Sequence, residues 1–151
     1  MNKLTQNISK TICLNMIVKN ESKIITRLFD SIINIIDTYC ICDTGSTDNT
    51  IQIIKDYFKN KSITNKSITG KIIEKEFRNF GYNRNYAYKE AKNMADYILF
   101  LDADMIVEID KIFDKSTLIH SAYQIQQGNK SFQYYNTRLI HSSMNIEYHG
   151  P

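Results

Sequence analysis

The residues of this chain best suited to chemistry are two carboxylates one residue apart, Asp102 and Asp104, at the end of the apolar run LFLDADM (99–105). Hard oxygen ligands held this way suit Mg²⁺ or Mn²⁺, ions that keep several waters and bind substrate phosphates with only one or two protein carboxylates. One aspartate after a buried strand is ordinary punctuation, and D-x-D alone is a short, common pattern. A third carboxylate, Asp43, closes the apolar run TYCICD and opens DTGSTDNT (43–50). Gly45 permits a tight turn there, and Ser46, Thr47 or Asp48 can cap a following helix, so a well-made loop accounts for these four. It accounts less well for Asp43, because a carboxylate at a buried strand end needs donors. A nucleobase imide N–H or a ribose hydroxyl would supply one.

Other polar residues fall at similar junctions. Lys19, Asn20 and Glu21 follow the apolar run that ends in Val18, and Arg84 stands in FRNFGYNRN (77–85) at the expected start of a helix. A helix N-terminus favours anions, so an arginine there is slightly misplaced for the dipole. It could reach a diphosphate or a ribose, or pair with Asp102. Tyr82, Tyr86 and Tyr88 read as packing residues, and His120 and His141 as surface or strand residues. His149, beside Gly150, is a weaker candidate for a metal ligand or an acceptor-site residue.

The elements that must position these residues follow from hydrophobic periodicity. TICLNMIV (11–18) and TYCICD (38–43) read as buried strands, KIIEKEF (71–77) as a third strand and DYILFLDAD (96–104) as the fourth and most apolar. Between them, ESKIITRLFDSIINII carries apolar residues at helical offsets, a second helix holds Ile51, Ile54, Tyr57 and Phe58, and Arg84 to Ala95 forms a third. The second helix runs out in the polar stretch KNKSITNKSITG. Strand and helix alternating in this way predict a mostly parallel α/β sheet with helices on both faces. After about residue 106, SAYQIQQ and SFQYYNTRLI around GNK predict an antiparallel hairpin added to the sheet. Parallel strands place their carboxyl ends together, so Asn20, Asp43, Asp102 and Asp104 are expected on one edge, where open α/β sheets bind ligands.

Several classes are disfavoured. One glycine stands where a dinucleotide fingerprint needs three, and no phosphate-loop lysine follows it. A sugar-nucleotide pyrophosphorylase needs a glycine-rich first loop, which TICLNMIVKN lacks, and a phosphoacceptor receiver domain carries an acidic pair after its first strand, where Lys19, Asn20 and Glu21 stand. The formal net charge of +3 comes mostly from scattered lysines, so no nucleic-acid footprint is expected. With 42% hydrophobic and 23% charged residues in 151, the chain suits one folded domain. Cys13, Cys40 and Cys42 lie inside apolar runs without zinc-binding spacing, which predicts reduced core thiols and a cytosol-like, cytoplasmic location. The polar N-terminus has no secretory core, and no apolar run is long enough to span a bilayer.

Taken together, MIVKNE (16–21), CDTGSTDNT (42–50), FGYNRN (80–85) and ILFLDADM (98–105) resemble, in order and roughly in spacing, the family 2 glycosyltransferases of the GT-A fold. The resemblance spans about residues 11–105. It implies a nucleotide-diphospho-sugar donor, often UDP-linked, a divalent cation (Mn²⁺ or Mg²⁺), and transfer to an acceptor hydroxyl with inversion. By the same analogy, Val18, Lys19 and Asn20 line the nucleotide pocket, Asp43 contacts the base and Arg84 the donor. Asp102, with Ala103, lies by the ribose or the metal, and Asp104 ligates the metal. Inversion needs a general base, usually a carboxylate from the acceptor half; Asp110, Asp114 and Glu147 are available, and none sits in a recognisable motif. Relatives often continue past a stretch like HG-x-V-H-E, whereas this chain ends at HGP. The expected organisation is therefore an N-terminal extension (1–10), a nucleotide-sugar-binding core (11–105) and the start of a truncated acceptor-side region (106–151). The alternative is a donor-binding module, incomplete alone, within a larger protein.

Overall fold

A computed structural model of the chain describes residues 8–64 and 67–150. Most of the N-terminal extension, residues 65–66 of the polar stretch and the final proline lie outside the described residues. The strands are β1 (Ile12–Val18), β2 (Thr38–Asp43), β3 (Thr69–Glu74), β4 (Tyr97–Phe100), β5 (Ala122–Gly128) and β6 (Gln133–His141); the helices are α1 (Ile25–Ile32), α2 (Thr50–Thr64) and α3 (Phe80–Ala91). They form one six-stranded sheet in the order β3-β2-β1-β4-β6-β5. The first four strands are parallel, and the β5–β6 hairpin joins antiparallel to β4. This is the mostly parallel sheet with an added hairpin that the residue pattern predicts. Strand order reverses between β1 and β4, which makes their carboxyl ends the expected ligand crevice.

Alternation along the buried strands assigns the two faces. Ile12, Leu14, Met16 and Val18 of β1 pack with Leu28, Phe29, Ile32, Ile54 and Phe58 from α1 and α2. Cys13, Cys40, Ile98 and Phe100 face the other way, onto Tyr88 and Ala91 of α3. Burial raises the thiol pKa of Cys13 to about 12 and of Cys40 and Cys42 to about 11. All three are free and buried, as core thiols.

Several boundaries differ from the sequence expectation, for local reasons. The β3 ladder ends at Glu74 rather than Phe77 because the buried Asn83 captures the chain. Its Nδ2 donates to the Lys75 and Glu76 carbonyls at 3.3 and 3.1 Å, and its Oδ1 accepts from Arg78 N at 2.9 Å. Helix α3 begins four residues before Arg84 because the Asn79 side chain caps it, accepting from Tyr82 N at 2.7 Å. Arg84 is therefore beyond the first turn, and the dipole misfit expected for it does not arise. Strand β4 stops at Phe100, so Asp102 and Asp104 stand in the turn beyond it, where Met105 N donates to the Asp102 carbonyl at 3.0 Å.

Candidate functional site

The ends of β1 and β2 are tied together by one asparagine. Asn20 adopts a left-handed backbone (φ 56°), which asparagine tolerates better than most residues. Its Oδ1 accepts from the backbone N–H of Thr47 and Asp48 at 2.7 and 3.3 Å, and its own N–H donates to Ser46 Oγ at 2.9 Å. Gly45 has φ 113°, and a Cβ there would meet nothing within 4 Å, so the glycine serves the backbone turn rather than space. The Val18 carbonyl accepts from both N and Oγ1 of Thr44, while Lys19 is exposed.

Asp48 completes this loop, accepting from Thr50 N at 2.9 Å and from Ser22 N at 3.3 Å. Hydrogen bonds from Ser22 and Thr50 pull its pKa down from 3.8 to about 2. A depressed folded-state value stabilises the fold above the unfolded pKa, and that contribution disappears as pH falls through the folded one. Asp48→Asn is therefore expected to flatten the acid-side fall in melting temperature between about pH 4 and pH 2, relative to the parent, in a scanning-fluorimetry pH series. Equal slopes would show that these hydrogen bonds do not persist in solution.

Asp43 is almost fully buried, at 2% exposure. Its Oδ1 accepts from Gly45 N and Ser46 N at 2.9 and 2.8 Å. Oδ2 is buried and has no hydrogen-bond partner among the described residues. Native proteins seldom leave a buried acceptor unsatisfied, so the oxygen is suited to an N–H or O–H brought by a ligand.

Beyond β4 the carboxylates divide. Asp102 is gripped from two sides: Arg84 Nη2 lies 2.6 Å from Oδ1 and Arg138 Nη1 lies 3.3 Å from Oδ2. Arg84 also sits over the Tyr148 ring, 5.7 Å from its centroid. Tyr148 belongs to a strap that crosses α3. Asn85 exchanges hydrogen bonds with both backbone groups of Tyr148, Tyr88 Oη donates to the Met144 carbonyl, and Lys92 reaches Asn145. The strap passes the first turn of α3 where Gly81 leaves room; a Cβ there would lie 3.0 Å from the Gly150 carbonyl.

Asp104 is exposed and makes no hydrogen bond or ion pair with any described residue, while Ala103 between the two is buried. It lines an open cavity of about 830 Å³ between residues 104–108 and the β5–β6 hairpin, with Glu108, Lys130 and Arg138 on the same walls. The negative charges of Asp104 and Asp48 add to burial in raising the pKa of Glu21. Carboxylates from three strand ends thus share one edge, as the parallel topology requires.

No set of three or more His, Cys, Asp or Glu side chains that could hold a metal gathers among the described residues. His149 is not brought into a ligand set with Asp102 and Asp104: it is exposed, and its Nε2 lies 3.9 Å from Glu147. Asp102 meets one guanidinium on each oxygen, whereas Asp104 meets no partner among the described residues. Of the acids available as a base, Asp110 and Asp114 accept from backbone N–H groups in local turns, and Glu147 faces His149. Arg138 and Tyr148 were not singled out from the sequence. The signal for Arg138 lies in SFQYYNTRLI, where alternation fails at the consecutive buried pair Leu139 and Ile140.

The family model for glycosyl transferase family 2 matches residues 13–145, nearly the whole described chain. The chain belongs to glycosyl transferase family 2. It is 29% identical over 130 residues to an uncharacterized glycosyltransferase of Rickettsia bellii, covering 82% of this chain and 40% of that protein. Among solved structures, it is similar to S. aureus TarS 1–349 in complex with UDP, with 26% identity, a TM-score of 0.50, and coverage of 62% of this chain and 27% of that one. It also shares the fold of the mannosyltransferase PcManGT from Pyrobaculum calidifontis, solved in complex with GDP-Man and Mn²⁺, at 18% identity and a TM-score of 0.55, covering 66% of this chain and 29% of that one. The GT-A arrangement expected from the motifs is the one observed. The chain spans well under half the length of each of these relatives.

Proposed function

We propose that this family 2 chain binds a nucleotide-diphospho-sugar, UDP-linked, together with Mn²⁺ or Mg²⁺, and that the protein transfers the sugar to an acceptor hydroxyl with inversion. One contrast carries the reading. On a single sheet edge and among the described residues, Asp43 keeps a buried acceptor without a partner, Asp104 keeps an unpaired exposed carboxylate, and Asp102 is held by guanidinium groups. The likeness to TarS, whose structure holds UDP, supports the choice of nucleotide.

In this reading Asp43 accepts from the base, on the loop that Asn20 locks, and the backbone of Val18 to Asn20 borders the nucleotide. Arg84, oriented by Asp102 and by the Tyr148 ring, offers its remaining N–H groups to the donor. Asp104 fits a divalent cation as its one protein carboxylate, which is how ions that travel with substrate phosphates are commonly held. A cation bound there would supply Lewis-acid stabilisation of the departing diphosphate. Asp102 keeps the arginines in place beside it. A second reading, a donor-binding module that works within a longer protein, is favoured by one observation: none of Asp110, Asp114 and Glu147 lines the cavity beside Asp104, where Glu108 is the other lining carboxylate.

A thermal-shift panel of UDP, GDP, CDP and dTDP, each with Mn²⁺, tests the nucleotide. Stabilisation by UDP above the other three is expected, since a ligand that binds only the folded state raises its melting temperature. Silence across all four would contradict a donor site. Hydrolysis of UDP-sugars in the same samples then separates a turning-over enzyme from a binding module.

A further inference from the structure

The hairpin carries an irregularity at one residue. Tyr123 of β5 faces Leu139 of β6, but the next residue, Gln124, faces Thr137, so Arg138 is left over as a β-bulge. Bulges re-aim side chains and are over-represented beside active sites. The register of β6 on β4 runs through Leu99 opposite Leu139, which sets Arg138 next to the carboxyl end of β4, on the edge where the other site residues lie.

Its side chain is largely shielded, with an exposure of 12%. Nε donates to Gln127 Oε1 at 3.1 Å across the hairpin, and Nη1 reaches Asp102. Those two contacts leave Nη2 free of any described partner, and the side chain lines the cavity that Asp104 also lines. Charge argues in the same direction. Asp43, Asp48, Asp104 and Glu21 gather on this edge with Asp102, and a phosphate approaching so acidic an edge needs a cation such as Arg138 to meet it. One guanidinium would suffice to neutralise Asp102; the second is in excess of what that carboxylate needs.

The strand order adds a direction. Asp43 lies on β2, and the sheet continues through β1, β4 and β6. At about 4.8 Å per strand, β6 lies roughly 14 Å from β2, so a donor whose base meets Asp43 extends across the edge toward the hairpin. We propose that Arg138 is a donor-binding residue that contacts the distal phosphate, the one bearing the sugar, and so distinguishes a nucleoside diphosphate from a monophosphate. This rests on the donor-site reading above.

The test is calorimetric titration of UDP and of UMP, each with Mn²⁺, into the wild type, Arg138→Gln and Arg138→Lys. Losing a charge-assisted hydrogen bond to a phosphate weakens binding roughly tenfold to a hundredfold. Arg138→Gln is therefore expected to lose UDP affinity by that factor while UMP affinity changes less than about twofold, with Arg138→Lys between the parent and the glutamine variant. Unchanged UDP affinity overturns the proposal. Equal losses for UDP and UMP also overturn it, because they mean that Arg138 acts only through Asp102 and the fold. If the glutamine variant does not unfold cooperatively, the lysine variant alone decides by the same UDP-to-UMP ratio. A wild type that binds neither nucleotide contradicts the donor site itself, which is a different failure from a wild type that binds UDP and a variant that matches it.

Discussion

Alanine at position 104 is expected to abolish manganese-dependent UDP binding while leaving the fold intact. Asp104 is exposed and has no described partner, so its removal should shift stability by no more than about 0.5 kcal/mol. For a chain of this size that is a melting-temperature change of about 2 °C at most. Its effect on the proposed cation site is a different matter. Even the outer partners of metal ligands are worth 10- to 100-fold in affinity, so a first ligand should cost at least about 100-fold. Mn²⁺ electron paramagnetic resonance, recorded with saturating UDP, reads this directly as the amplitude of the free-ion signal. A variant that still captures Mn²⁺ and UDP like the wild type would move the metal to other ligands.

The second large effect belongs to Asp102 and has the opposite profile. Asp102→Ala leaves Arg84 and Arg138 facing each other without a counter-ion, with side-chain exposures of only 22% and 12%. Breaking a fully buried pair costs about 3–5 kcal/mol, and exposed pairs are worth under 1; this site is part-exposed, so about 2 kcal/mol is expected. The melting temperature should fall by about 4–8 °C, and UDP affinity should fall with it because Arg84 loses its anchor. Asp102→Asn, which keeps an acceptor but not the charge, should lie between. A double-mutant cycle with Arg138→Ala separates the pair from its surroundings: a coupling energy near zero would mean that the 3.3 Å contact contributes nothing in solution. The two variants thus divide the D-x-D pair into one residue that serves the ligand and one that also holds the site together.

The sheet was legible because its signals are local and repeated. Runs such as YCIC and YILF are apolar throughout, which is what strands buried on both faces require, and the first two intervening helices show one apolar stripe each. The boundaries were less legible because side-chain hydrogen bonds with distant consequences set them. Asn83 shortens β3 and Asn79 lengthens α3, yet in EKEFRNFGYNRN each is one asparagine among several. For the site, Asp43, Asp102 and Asp104 could be named because each ends an apolar run, where topology alone brings them to one edge. Arg138 could not, because its place depends on a one-residue slip between β5 and β6, far along the chain from Asp102. Tyr148 was hidden for a related reason: its ring lies under Arg84 only because Asn85 fastens the strap to α3. Local pattern predicts elements, and long-range hydrogen bonds decide how they meet.

The division of labour among the carboxylates rests on one physical claim, that this sheet edge binds a nucleoside diphosphate through a cation. Isothermal titration of UDP into the wild-type protein, with Mn²⁺ and then with EDTA, tests it most directly. Saturable binding with one site in Mn²⁺, weakened at least about 100-fold by EDTA, is the predicted result. Equal binding in the two buffers would contradict the role given to Asp104, and no heat in either, from a protein that melts cooperatively, would contradict the donor site as a whole.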